Sequence, residues 1–233
     1  MLILAFETSA KAGSVALLDG NRLLGESYQN TGLTHSQTIM SMAQSLITAC
    51  GYTPQQIEAV AVAAGPGSFT GIRIGVAAAK GFAWGAEIPC YGVSTLEAMA
   101  LNLGVYDGLV VGVMDARRSQ VYTATFRAEK GVLTRLTEDR AISLQQLGEE
   151  LSQSNCPVYL VGDGSTLTYN TLCSTVEQLV MPAEHKMHQR AAGVGLAAAA
   201  MIEAGLPGNG AELQPNYLRL SQAERERMEK EQK

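Results

Sequence analysis

A covered strand that runs into a glycine-studded turn and then a helix constrains this chain more than any other stretch. Ala59-Val60-Ala61-Val62-Ala63 is an apolar run of strand length. Ala64-Gly65-Pro66-Gly67-Ser68-Phe69-Thr70-Gly71-Ile72-Arg73 follows it, and Ile72 to Trp84 is rich in Ala, Gly and aliphatic residues. The spacing predicts a packed helix over 72–84. A strand that turns through glycines into a helix N-terminus presents several backbone N–H groups together. That arrangement suits an anion, or a second backbone lying very close. Gly65, Gly67 and Gly71 permit positive φ or close approach, while Pro66 stiffens the turn.

The 233 residues are enough for one large domain or two lobes of roughly 100 residues each. With 46% hydrophobic and 17% charged residues, a buried core is expected and global disorder is not. Net charge is −5, and no Lys/Arg run occurs, so the chain is poorly suited to grip nucleic acid unaided. Apolar segments fall short of the roughly 20 residues a membrane span needs. The start, Met1 to Phe6, lacks a basic leader region and reads as a strand. Cys50, Cys90, Cys156 and Cys173 form no CxxC and read as reduced thiols of a cytoplasmic protein.

Strands are predicted at 2–6, 13–18 and 22–28, joined at Asp19-Gly20-Asn21 into a meander. Ile39, Met40, Ala43, Leu46 and Ile47 fall at helical spacing over 35–50, with Thr34 or Ser36 as cap and Gly51 as stop. A strand is expected over 90–93, and Ser94-Thr95-Leu96-Glu97 has the capping-box pattern of a helix reaching about 103. A second lobe opens with a strand over 109–114 that ends at Asp115. A hairpin over 121–126 and 132–136, a helix over 143–151, a strand over 158–161 and an Ala-rich helix over 189–204 complete it. The expected division is an N-terminal lobe 1–105, a C-terminal lobe 106–220 and a charged tail 221–233, frayed or disordered.

Phe6-Glu7-Thr8-Ser9, the meander, Gly65 to Arg73 and Met114-Asp115-Ala116-Arg117-Arg118 together resemble the TsaB (YeaZ) family. That resemblance implies an α/β, two-lobed actin/sugar-kinase/Hsp70-like (ribonuclease H-like) fold. It implies a required but non-catalytic subunit in tRNA N6-threonylcarbamoyladenosine synthesis at A37. The partners implied are the transferase TsaD and the ATPase TsaE, with tRNA met only through the complex and a homodimer when the chain is alone. No membrane partner is implied. The related transferase binds its metal through a His-x-x-x-His pair just after the strand that follows the glycine-turn helix. Those two positions fall here on Thr95 and Met99, a poor hard-metal pair, so no metal is expected.

Kinases of this superfamily carry an acidic phosphate loop where this chain has Glu7-Thr8-Ser9. In that role Glu7 orients a magnesium water and Thr8 and Ser9 touch phosphate; otherwise the three close a strand turn. Asp115 matches the second acidic position, and Gly162 and Gly164 lie where an adenosine-contacting pair belongs. This chain requires no cofactor of its own, and ATP or ADP is expected, if anywhere, at the partner interface. A stand-alone ATPase or kinase is the alternative, and a peptidase at Ser68 the last choice, because Gly67-Ser68-Phe69-Thr70-Gly71 lacks the elbow spacing. His35 reads as a helix-start residue, and His185 and His188 lack a third ligand. Helices 35–50 and 72–84 carry more apolar surface than one core face needs. Ile39, Met40, Ala43, Ile47, Ile74, Ala78 and Phe82 are therefore expected at a partner interface, with Arg73 and Lys80 pairing with acids across it or reaching a trapped nucleotide.

Overall fold

The computed structural model describes residues 1–104 and 106–219. The predicted tail 221–233 lies outside the described residues. The first lobe opens with β1 (Leu2–Glu7), β2 (Gly13–Asp19) and β3 (Arg22–Gln29), followed by α1 (His35–Ala49). Next come β4 (Ala59–Gly65), α2 (Phe69–Ala86), β5 (Cys90–Ser94) and α3 (Thr95–Leu103). The second lobe contains β6 (Gly108–Arg117), β7 (Gln120–Glu129), β8 (Val132–Arg135), β9 (Arg140–Ser143), α4 (Leu144–Leu151) and β10 (Val158–Val161). It ends with α5 (Ser165–Leu172), β11 (Leu179–Val180), α6 (Glu184–Met187) and α7 (Ala191–Glu203).

The sheets share one plan. In the first the strand order is β3-β2-β1-β4-β5, and in the second β8-β7-β6-β10-β11, with β9 also pairing with β7. In each, the opening strand runs antiparallel to its hairpin partner and parallel to the next strand along. This duplicated sheet, with helices on both faces, is the two-lobed actin/sugar-kinase-like fold that the resemblance implies.

Residue alternation places each layer. Leu2, Leu4 and Phe6 of β1 point to the α1–α2 side, where they meet Ile39, Ile47, Ile72 and Val76. Ile3 and Ala5 point the other way, onto Ala191, Val194 and Ala198 of α7. Helix α3 lies between the lobes: Ala98 packs in the cluster with α7, while Leu96, Met99 and Leu103 pack with Val110, Met114 and Phe126. Across the second sheet, Leu109, Val111 and Val113 meet Leu144, Leu147 and Leu172.

The division at residue 105 is therefore not the packing division. Helix α7 follows the second sheet in the chain but packs on the first. Its small residues allow this: a Cβ on Gly195 would sit 2.1 Å from Leu18 Cδ1 of β2, and one on Gly193 would sit 2.0 Å from the Ala98 carbonyl oxygen of α3. Ser94 caps α3 by accepting from the Glu97 N–H at 3.2 Å, but the Glu97 carboxylate pairs with Arg135 instead of closing the box. Thr34 occupies the α1 cap position without a side-chain cap bond.

Candidate functional site

Where β1 ends, the chain is pressed against the start of α2. The Ser9 N–H donates to Glu7 Oε1 at 2.6 Å, and the Ser68 N–H donates to the Ser9 carbonyl at 2.6 Å. Thr8 Oγ1 donates to the Gly71 carbonyl at 2.8 Å. A Cβ on Gly71 would lie 2.1 Å from the Thr8 carbonyl oxygen. Of the two uses open to the glycine turn, close approach of a second backbone is the one observed. Ser68 Oγ accepts from the Gly71 N–H at 3.3 Å, which caps α2 and occupies the hydroxyl a peptidase would need.

A cleft of about 610 Å³ opens between the lobes here, walled by Ser9, Lys11, Ser68, Asp115, Asp163 and Arg219 among others. Ser9 and Asp115 line this cleft, Asp115 exposed and Ser9 0% exposed. Glu7 does not: it is fully buried beneath the cleft, and Oε2 has no hydrogen-bond partner among the described residues. Burial pushes its carboxyl up to about 7, and the nearby Asp163 carboxylate adds to this against the opposing Ser9 hydrogen bonds. Thr8 is buried too and held by Gly71. Neither wall nor floor of the cleft offers these two groups to a phosphate, which corrects the phosphate-loop role for Glu7 and Thr8.

Gly162 and Gly164 are packing residues. A Cβ on Gly162 would lie 2.1 Å from the Val113 carbonyl oxygen, and one on Gly164 would lie 3.0 Å from the Asp115 nitrogen. Neither lines the cleft; the residue between them, Asp163, does. Asp163 is exposed at the cleft, yet partial desolvation by the surrounding protein raises its pKa, opposed by Gln189 Nε2, which donates to Oδ1 at 2.9 Å. Asp115 Oδ1 accepts the Arg117 N–H at 2.7 Å.

The expected interface on α1 and α2 divides in two. Ile39, Ala43 and Ile47 are each 1% exposed and belong to this chain's own core, so they are removed from any contact surface. Burying a side chain such as Ile39 contributes about 2 kcal/mol, and it is spent on the first sheet. Ile74, Ala78 and Phe82 are half-buried against the same core. What faces outward is Met40 on α1, together with Ala77, Gly81, Gly85 and Trp84 on α2, the last 86% exposed.

Arg73 and Lys80 have intramolecular work. Lys80 Nζ donates to the carbonyls of Ala211 and Leu213 at 3.2 and 3.0 Å. Arg73 Nε donates to the Tyr217 hydroxyl at 2.7 Å, and its guanidinium lies 3.9 Å over the Phe69 ring. Phe69 and Tyr217 stack with centroids 4.3 Å apart. The Asn216 N–H donates to the Ala64 carbonyl at 2.7 Å, and Arg219 Nη1 reaches the Ala116 carbonyl at 2.5 Å. Residues 206–219 thus form a strap along α2 that ends on the second lobe.

A family model described as TsaD, tRNA N6-adenosine threonylcarbamoyltransferase, matches residues 29–226. The tRNA threonylcarbamoyladenosine biosynthesis protein TsaB of Bacillus subtilis is 38% identical over 72% of this chain and 73% of its own. The chain belongs to the TsaB family. The protein of that name from Escherichia coli is 36% identical over 66% of this chain and 67% of its own. The solved structure of YeaZ from Pseudomonas aeruginosa superposes with a TM-score of 0.76 at 24% identity, covering 93% of this chain and 99% of that one.

As a TsaB-family chain matched by a transferase model, it invites a test of the metal position. Thr95 and Met99 are both buried, at 0% and 1% exposure, and the Thr95 hydroxyl has no partner among the described residues. A hydroxyl beside a thioether does not fit a divalent ion held by nitrogen and carboxylate. Among the described residues there is no group of three or more His, Cys, Asp or Glu placed to hold a metal. His35 Nε2 is engaged with the Ala10 carbonyl at 2.8 Å. No helix among the described residues is long and apolar enough to cross a membrane. Sequence reasoning missed Lys11, Asp163 and Arg219 as cleft residues. Asp163 carried a signal, lying between the two glycines singled out, whereas the position of Arg219 depends on the strap.

Proposed function

We propose that this chain is a required, non-catalytic subunit in tRNA N6-threonylcarbamoyladenosine synthesis. It binds and shapes the TsaD-type transferase in the cytoplasm, with the TsaE-type ATPase as a further member. The similarity to proteins named for this biosynthesis supports the pathway. The observation that carries the division of labour is the chemistry of the sites. Glu7 is sealed in, and Thr95 and Met99 stand at the metal position. Meanwhile α2 turns Trp84, Ala77 and Gly81 to solvent. An exposed aromatic beside small residues is the composition of an interface centre. The same face supports self-association when the transferase is absent, so the two uses compete. This chain requires no nucleotide of its own; ATP or ADP belongs at the junction with its partners.

The test is reconstitution. Purified transferase and ATPase partners are mixed with the wild-type chain or with Ala77→Glu/Trp84→Glu, and tRNA modification is measured. Both positions are exposed, so the variant keeps its thermal midpoint while modification falls at least tenfold. Wild-type modification by the variant overturns the interface. Titration of the isolated chain with Mg-ATP, giving micromolar binding that Asp115→Ala abolishes, would favour a stand-alone ATPase instead.

A further inference from the structure

The geometry points to a footing for the phosphodiester backbone of an RNA strand, in the furrow that runs from the interlobe cleft over the β6–β7 turn. Beside the cleft lies a second cavity of about 590 Å³, walled by Arg118, Ser119, Ser143 and Gln145 among others. The two cavities share Asp115 and Arg117, so they adjoin at the turn. That turn holds Arg117, Arg118 and Ser119 at φ 62°, 57° and 56°, all exposed. Neither arginine is in an ion pair among the described residues. Lys11 faces the furrow from the first lobe and Arg219 from the strap.

Four cations from three separate elements therefore border one groove of a chain whose net charge is −5. The two carboxylates there are already engaged: Asp115 accepts the Arg117 N–H, and Asp163 accepts from Gln189. Guanidinium groups bind phosphate oxygens two at a time. The stacked Phe69–Tyr217 pair lies at the cleft end, with Tyr217 39% exposed, and offers a ring face to an unpaired base. A single phosphate or nucleotide engages one cavity. Cations spread along two adjoining cavities fit a repeating phosphate chain.

The identity of that RNA as tRNA rests on the function proposed above, whereas the phosphate chemistry does not. The chain supplies part of the contact and its partner the rest, which agrees with its acidic balance. The test measures tRNA binding by the chain in complex with its transferase, over a salt series. Arg117→Ala/Arg118→Ala is expected to weaken binding about tenfold near 0.1 M salt and to flatten the log–log salt slope by about 1.4, as for two single-strand phosphate contacts. Arg22→Ala, an exposed arginine at the β2–β3 turn, is expected to change neither. Wild-type affinity and slope in the double variant, with the complex intact by gel filtration, overturns the footing. Competitive displacement of the tRNA by inorganic triphosphate at equal phosphate concentration also overturns it, in favour of a small-anion site. If wild-type chain and transferase do not associate, the proposed function fails by itself. The footing is then judged on the isolated chain at low salt, where photocrosslinking of tRNA to the Tyr217 peptide supports it and no crosslink overturns it.

Discussion

The ends of β1 and β6 are equivalent positions in two sheets of the same order, and they have been put to opposite uses. Each carries, at or near its end, an acid that accepts the backbone N–H two residues on: Glu7 from Ser9 at 2.6 Å, Asp115 from Arg117 at 2.7 Å. The local turn is the same device. Around Glu7, α2 closes in through Gly71 and Gly75, and the carboxyl is fully buried. Around Asp115 no helix closes in to that degree; the acid is exposed and two arginines follow it in left-handed conformations. What surrounds a strand end, and not the strand end itself, decides whether its acid is a structural or a surface group.

The largest expected effect tests the seal. Gly71→Ala must push backbone against backbone and is expected to cost upward of about 3 kcal/mol, read from the urea midpoint. Gly164→Ala, the counterpart beside Asp115 with 3.0 Å of space, is expected to cost about 1 kcal/mol. Equal losses would erase the contrast between the lobes.

The second effect is in pH. Folding raises the Glu7 pKa from 4.5 to about 7, so the folded chain holds a proton that the unfolded chain releases. The Glu7 contribution to stability is therefore greatest below about pH 4.5, falls as pH rises to about 7 and then levels off, by no more than about 3 kcal/mol. Glu7→Gln is expected to remove the Glu7 part of that fall, measured as the difference between urea midpoints at pH 5 and pH 7.5. An unchanged difference would mean that Glu7 is not sealed.

A smaller effect concerns the strap, which spans both lobes. Tyr217→Ala removes the ring stack and the Arg73 hydrogen bond, for about 1 kcal/mol of local stability. Hydrogen exchange at the Asn216 amide, which donates to Ala64, is expected to quicken about fivefold while β4 itself stays protected. The smallest effect sharpens the comparison from the other side. Ser119→Gly relieves one left-handed residue of the β6–β7 turn and is expected to stabilise the chain by about 0.5 kcal/mol, read as a rise in thermal midpoint.

Much of the fold was legible because it rests on local pattern. The apolar run 59–63, the turn at Gly51 and the Ala-rich stretch 189–204 each carry their own periodicity or stop signal. The short pieces were not: β9, β11 and α5 are held by pairing with β7, by β10 and by packing under α4, none of which a local pattern records. The candidate site was harder still. Sequence shows that Ile39, Ala43 and Ile47 form an apolar stripe, but not that the first sheet consumes all of it. It shows a carboxyl at Glu7, but its burial depends on glycines more than sixty residues away. Arg73 and Lys80 read as free charges because the strap that takes them, 206–219, has no period at all.

Helix α7 gives the molecule an order of birth. A nascent chain emerging from the ribosome can pair β1 through β5 and cover one side of that sheet early. The other side stays largely bare and greasy until residue 203 has been made, because α3 contributes only Ala98 and Leu101 to that cluster and α7 covers the rest of it among the described residues. A break after residue 105 would leave a half-clad sheet, and the N-terminal half is bound to wait for α7 before it is finished.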